Sequence, residues 1–221
     1  MVWDHLTTEE ATNIAKSLEK YKLKYWGFVI FRCTYSSQEK WDKFLTLVKE
    51  DCHSYFEDRG MEDIYDKMLW TVIEDAQTLD GATIPDANRS FLEWVENEGK
   101  QEMRGSVFPN NTYYAPRYSY FLYVDEESLE SVADDEKARE PGGYFCKVVR
   151  SRKVQMDEEA TNEDREEDDE EEDEGDKEHR LRGQRKRVKV DQLVLLYNAL
   201  LNTDTWWNMY TSAVTNVVEG I

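Results

Sequence analysis

Residues Asp157 to Glu178 cannot form part of a packed core. That window holds 16 Asp and Glu against only Arg165 and Lys177. Like charges at this density repel, and almost no apolar surface is present to offset the entropy of ordering. The window therefore predicts a disordered tract, and any folded unit must be assembled from the chain before and after it. It also carries −14 of the formal net charge of −20, so the remainder is near −6, an ordinary value for a folded domain. The remainder has ample core material, since the chain contains 7 Trp, 13 Tyr and 8 Phe. An acidic balance of this kind disfavours nucleic acid as a partner, because phosphate contacts need a basic footprint.

Outside the tract the apolar residues recur with the periods of helices and strands. Thr7 and Glu10 form a capping-box pattern before a helical repeat at Ala11, Ile14, Ala15 and Leu18. Residues 25–35 are aromatic and β-branched on both faces, which predicts a strand covered on both sides. Ser36 and Glu39 then open a helix with Trp41, Phe44, Leu45 and Val48 on one stripe. Residues 68–75 read as a second strand, and Thr83 with Asp86 caps a third helix. Residues 117–124 read as a third strand, with Asp125 capping a short helix, and residues 142–154 as a fourth. Two amphipathic helices are expected after Val190.

This order predicts an α+β fold, with a single sheet of about four strands packed with helices, and a ferredoxin-like variant as the arrangement. The expected organisation is one domain made of residues 1–154 and 190–221. Residues 155–189 would be an acidic-then-basic disordered insertion.

Three cysteines, Cys33, Cys52 and Cys146, are too few and too irregular for a disulfide framework, which points to a reducing, intracellular compartment. The first 16 residues carry acids and no apolar run, so they do not read as a secretory signal. No window approaches the 18 or more apolar residues of a membrane span, so no membrane partner is expected.

Three blocks, "WGFVIFRCTYSSQEKW" (Trp26–Trp41), "WTVIEDAQTLDGAT" with "FLEWV" (Trp70–Val95) and "PRYSYFLYVDEESLESV" (Pro116–Val132), occur together. With them the chain resembles a group of proteins from filamentous ascomycete fungi. In that group an aromatic-Gly-aromatic strand leads to an Arg and a Thr-Tyr pair, and a later strand ends in Val-Asp-Glu-Glu. The group carries no established activity, cofactor or catalytic residue. The resemblance implies an intracellular, fungus-specific context, cytoplasmic or nuclear, and implies no mechanism.

Candidate chemistry gathers at predicted strand ends. Arg32 stands where a core residue is expected, Glu74 and Asp75 end one strand, and Asp125 and Glu126 end another. Were those ends neighbours, the carboxylates could hold Mg²⁺ or Mn²⁺ for hydrolysis, with Arg32 clamping a phosphate. The plainer reading makes Asp125 a helix cap and gives Arg32 a carboxylate partner, Glu74 or an acid at 125–127. Tyr113, Tyr114 and Arg117 are a candidate interface, since Tyr and Arg dominate binding hot spots. Arg185, Lys186, Arg187 and Lys189 resemble a nuclear-import signal.

No fixed-spacing zinc motif, P-loop, dinucleotide fingerprint or nucleophile elbow is present. No metal site, cofactor or catalytic residue is therefore assigned. The expected function is a non-enzymatic intracellular protein-interaction module with an acidic insertion, which could take a basic partner. The alternatives are a metal-dependent hydrolase or phosphate-binding enzyme at the strand ends, and a nuclear acidic binder of basic partners.

Overall fold

Val29, Ile30, Phe31 and Arg32 are all buried, as a strand clad on both faces requires. The structure, a computed structural model, describes residues 9–107, 115–133, 135, 143–151 and 185–202. Strands β1 (Val29–Arg32), β2 (Thr71–Ile73), β3 (Tyr120–Val124), β4 (Phe145–Arg150) and β5 (Arg185–Lys189) form one sheet in the order β2-β1-β3-β4-β5. β1 pairs in parallel with both β2 and β3, whereas β3–β4 and β4–β5 are antiparallel.

Two cores flank the sheet. On one face Phe28, Ile30, Leu122, Val124, Cys146, Val148 and Val188 meet helices α1 (Glu9–Tyr21), α2 (Gln38–Glu57) and α3 (Glu62–Tyr65). On the other, Val29, Phe31, Phe121, Tyr123 and Val149 meet helices α4 (Ala76–Leu79) and α5 (Ile84–Trp94). The alternation along each strand assigns these residues to opposite faces. β1 leads through α2 to β2 on one side, and β2 leads through α5, over the opposite face, to β3 on the other side. Reversing both direction and face keeps the two crossovers of one hand, as parallel connections require. Short helix α6 (Lys100–Glu102), helix α7 (Glu126–Ser131) after β3, and helix α8 (Leu193–Leu200) after β5 complete the described elements. Trp26, Phe56, Phe28 and Tyr197 join α2, β1 and α8 through ring contacts with centroids 5.2–5.3 Å apart.

The α+β class stands, with two corrections. The sheet has five strands, because Arg185–Lys189, placed by sequence in the insertion, is paired with β4 over five residues. Only Lys186 and Val188 turn inward, so one apolar residue in five left no hydrophobic signal. The domain therefore resumes at Arg185 or earlier, not at residue 190. The arrangement also differs from a ferredoxin-like one. There the βαβ unit is split by an intervening strand, whereas β1 and β2 here are direct neighbours.

Gly27 fixes the entry to β1. Its φ is +100°, and a Cβ there would lie 3.0 Å from the Leu69 carbonyl oxygen. The close approach lets Trp26 pair with the entry to β2, its N–H donating to the Lys67 carbonyl and its carbonyl accepting from Leu69 N–H.

Candidate functional site

The carboxyl ends of β1, β2 and β3 point the same way, so the predicted strand-end residues do converge on one edge of the sheet. Arg32 ends β1 on the face of Phe28 and Ile30, beside the start of α2. It is 4% exposed. Its Nε donates to the Thr34 carbonyl at 3.1 Å, and its Nη1 donates to Gln38 Oε1 at 2.9 Å and Glu74 Oε2 at 3.3 Å. The guanidinium lies over the rings of Tyr35 and Trp41, at 4.2 and 5.0 Å from their centroids. Of the two partners the sequence left open, Glu74 is the one in contact.

The remaining acids are each engaged with partners inside the domain. Asp75 caps α4, accepting from Gln77 N and Thr78 Oγ1, both at 3.0 Å. Asp125 caps α7, accepting from Ser128 N at 3.2 Å, and pairs with Lys147 of β4. Glu127 lies 2.7 Å from Lys147 Nζ and also pairs with Arg187 of β5.

Glu126 accepts from Thr34 Oγ1 at 2.6 Å. Hydrogen bonds from Ser36 and Thr34 hold its carboxyl below the ordinary range. The N-cap of α2 is Ser37, whose hydroxyl accepts from Lys40 N. Ser36, one residue earlier, is thereby available to Glu126. The edge is thus a lattice of internal pairings that ties the β1–α2 and β3–α7 turns together. Among the described residues, no three His, Cys, Asp or Glu side chains gather closely enough to hold a metal ion. Cys33, in the same turn, is buried, and burial followed by the charges of Asp125 and Asp86 pushes its thiol up to about 12. At neutral pH it is a protonated, inert thiol.

Arg117 is not an interface residue. It is 0% exposed, the one cationic side chain among the largest fully buried side chains of the described residues. Nε and Nη2 grip Glu102 in a two-point fork at 2.8 and 3.0 Å, Nη1 donates to the Leu69 carbonyl at 2.6 Å, and Nη2 donates to Thr71 Oγ1 at 2.7 Å. Trp94 stacks 5.2 Å away, and Tyr118 Oη donates to Glu102 at 3.2 Å. A buried guanidinium needs this degree of satisfaction to offset its desolvation. Tyr113 and Tyr114, the other two members of that candidate interface, lie outside the described residues.

Arg185, Lys186, Arg187 and Lys189 are strand β5, and an import signal must be an extended, accessible segment. Lys186 is 4% exposed and Val188 joins the core. The basic character of the strand suits a sheet edge, where charged side chains discourage pairing with another chain.

Sequence reasoning missed Glu102 and Lys147. Glu102 lies beyond the helix that Thr83 and Asp86 cap, and it is brought to Arg117 because α5 continues through a π-helical turn, Val95–Gly99, into α6. Lys147 carried a usable signal, a single lysine inside the apolar run "YFCKVV". Among the described residues no helix is long and apolar enough to cross a membrane. Comparison with protein-family models, curated proteins and solved structures returned no match.

Proposed function

We propose that the protein is a non-enzymatic intracellular interaction module, cytoplasmic or nuclear, of the fungus-specific kind its sequence resembles. Its α+β domain displays the acidic tract Asp157–Glu178 to a basic segment of a protein partner. One observation carries this reading. The charged residues at the carboxyl edge of the parallel strands are committed to internal partners, with Arg32 on Glu74, Lys147 on Asp125 and Glu127, and Glu126 on Thr34. The chain's great excess of charge lies instead in the tract, between β4 and β5. A polyanion of 16 acids steers and holds lysine- and arginine-rich segments by charge, at the cost of strong salt sensitivity.

The test is crosslinking capture from nuclear and cytosolic fractions of a fungal lysate, with the full chain and with a chain lacking residues 157–178. The full chain is expected to recover proteins bearing basic segments, and the excised chain to lose them. Recovery of the same proteins by both chains, or of none by either, would overturn the reading.

A further inference from the structure

β2 is one edge of the sheet and pairs with β1 alone. Leu69 donates to the Trp26 carbonyl, so the odd-numbered residues of this stretch turn their backbone groups towards β1. The N–H and C=O groups of Trp70 and Val72 therefore face outward, where no strand meets them. The edge is open: Thr71, Val72 and Ile73 are all half-exposed, whereas β1 and β3 are buried along their whole length. Beyond the strand, Asp75 is still extended, with φ −146° and ψ 102°. A row of unpaired backbone donors and acceptors is a template for another extended chain.

The surrounding charges select that chain. Six acids flank β2 between Glu62 and Asp80, against Lys67 alone, so residues 62–80 carry a net −5. Arg32 answers Glu74 from the interior and reduces this to −4, with Glu74 still 48% exposed. Arg117, which donates to Thr71, is matched by Glu102. A second copy would bring two such rims together on chains of net charge −20 each, and would be repelled. A lysine- or arginine-rich segment is drawn to the same rim. The opposite edge, β5, carries Arg185, Lys186, Arg187 and Lys189 within the strand itself and repels a basic chain. Guarding an edge against every partner takes charge or proline inside the strand, and Trp70 to Ile73 contain neither.

We infer that the outward edge of β2 is where the folded domain takes an extended basic segment of a protein partner, by strand addition. The backbone of Trp70 and Val72 pairs with the incoming strand, and the acids at both ends of β2 meet its cations. The inference rests on the function proposed above for its choice of a basic partner, and adds a docking place on the domain.

The experiment follows amide hydrogen exchange in the full chain at low salt, with two octapeptide probes, (Lys-Val)4 and (Glu-Val)4. The Trp70 and Val72 amides are expected to exchange freely without peptide. Saturating (Lys-Val)4 should slow them about tenfold and leave the β5 amides unchanged, and (Glu-Val)4 should have no effect. Val72→Pro removes an N–H that no strand accepts, so this variant should melt within a few degrees of the natural chain and lose the protection at Trp70. Should it melt early, the contrast between the peptides decides on the natural chain alone.

Trp70 and Val72 amides already protected in the free chain would overturn the inference, and protection that grows with chain concentration alone would assign the edge to a second copy. Equal protection by both peptides would overturn the choice of a basic segment. Binding of (Lys-Val)4 that leaves both amides exchanging freely would overturn the docking place while sparing the acidic tract as a binder. Protection at β2, with lysate capture unchanged by excision of residues 157–178, would keep the docking place and strike the tract.

Discussion

The pair of Arg117 and Glu102 should be far more costly to break than to replace. Glu102→Ala leaves the Arg117 cation buried, with only Thr71 Oγ1 and the Leu69 carbonyl as acceptors. Removing one partner of a buried ion pair costs about 3–5 kcal/mol, and the complete burial of Arg117 places Glu102→Ala in that range. Arg117→Met costs less, about 2–4 kcal/mol. The stranded carboxylate is 16% exposed and keeps its bond from Tyr118, but the Leu69 carbonyl loses its donor. In Arg117→Met/Glu102→Ala both charges leave together, and the methionine fills part of the volume. The expected cost is about 1–3 kcal/mol, mostly the unsatisfied Leu69 and Thr71 acceptors. The cycle should then show a coupling of at least about 2 kcal/mol. Urea unfolding at pH 7, with the m-value unchanged across the set, measures it. Single variants whose costs simply add, or a Glu102→Ala cost below about 1 kcal/mol, would refute the assignment of this network as a buried, mutually dependent pair.

Two further perturbations follow from the same geometry. Burial, followed by the charges of Asp191 and Glu50, pushes the Asp51 carboxyl up to about 6 from its usual 3.8. Between those values the folded chain holds a proton that the unfolded chain has released. The stability contributed by this group is therefore greatest below pH 4 and is lost as the pH rises through 6. Asp51→Asn should remove that slope and raise stability at pH 7 by about 1 kcal/mol, after discounting for its partial contact with solvent; thermal melts from pH 4 to 7 that keep the slope would exclude Asp51 as its source. Arg32→Lys should cost about 1–2 kcal/mol, because a single ammonium cannot reproduce the fork to Thr34, Gln38 and Glu74 or the stack on Tyr35. Glu74→Gln, at a side chain 48% exposed, should cost under about 1 kcal/mol by urea unfolding, and equal costs would show that the ion pair, not the fork, holds Arg32.

The elements most legible in the sequence were those whose local and tertiary signals agree. Thr83 and Asp86 form the capping box their spacing suggests, and the continuous apolar run at residues 28–31 is buried on both faces. The convergence of Arg32, Glu74 and the Asp125 turn was also readable, since alternating strands and helices bring parallel strand ends together. What each charge does there was not readable, because that depends on strand order and on a one-residue choice of cap. Ser37 caps α2 and frees Ser36 for Glu126, and Lys147 meets Asp125 only because β4 is antiparallel to β3. Arg117 misled for the opposite reason. Among tyrosines it reads as a surface anchor, and its burial depends on Glu102, brought round by a π-helical turn that carries no sequence signature here.

Strand β5 changes how the acidic tract must be manipulated. A deletion from Asp157 to Lys189 looks from sequence like clean removal of a disordered insertion, but it would take the edge strand with it. Val188 is buried against the core under α8, and burying a valine side chain is worth about 1.5–3 kcal/mol. The loss of β5 would also strip the partner from β4 residues Phe145 to Val149, leaving a new open edge. That deletion should therefore lower the melting temperature sharply or cause aggregation. Excision of residues 157–178 alone leaves β5 and a connector of 11 residues between Ser151 and Arg185, ample for adjacent antiparallel strands. It should melt within a few degrees of the intact chain. Localisation or binding changed only by the longer deletion would report lost structure, and changed by the shorter one, loss of the tract itself. Equal melting temperatures for both deletions would refute the placement of Arg185–Lys189 in the sheet.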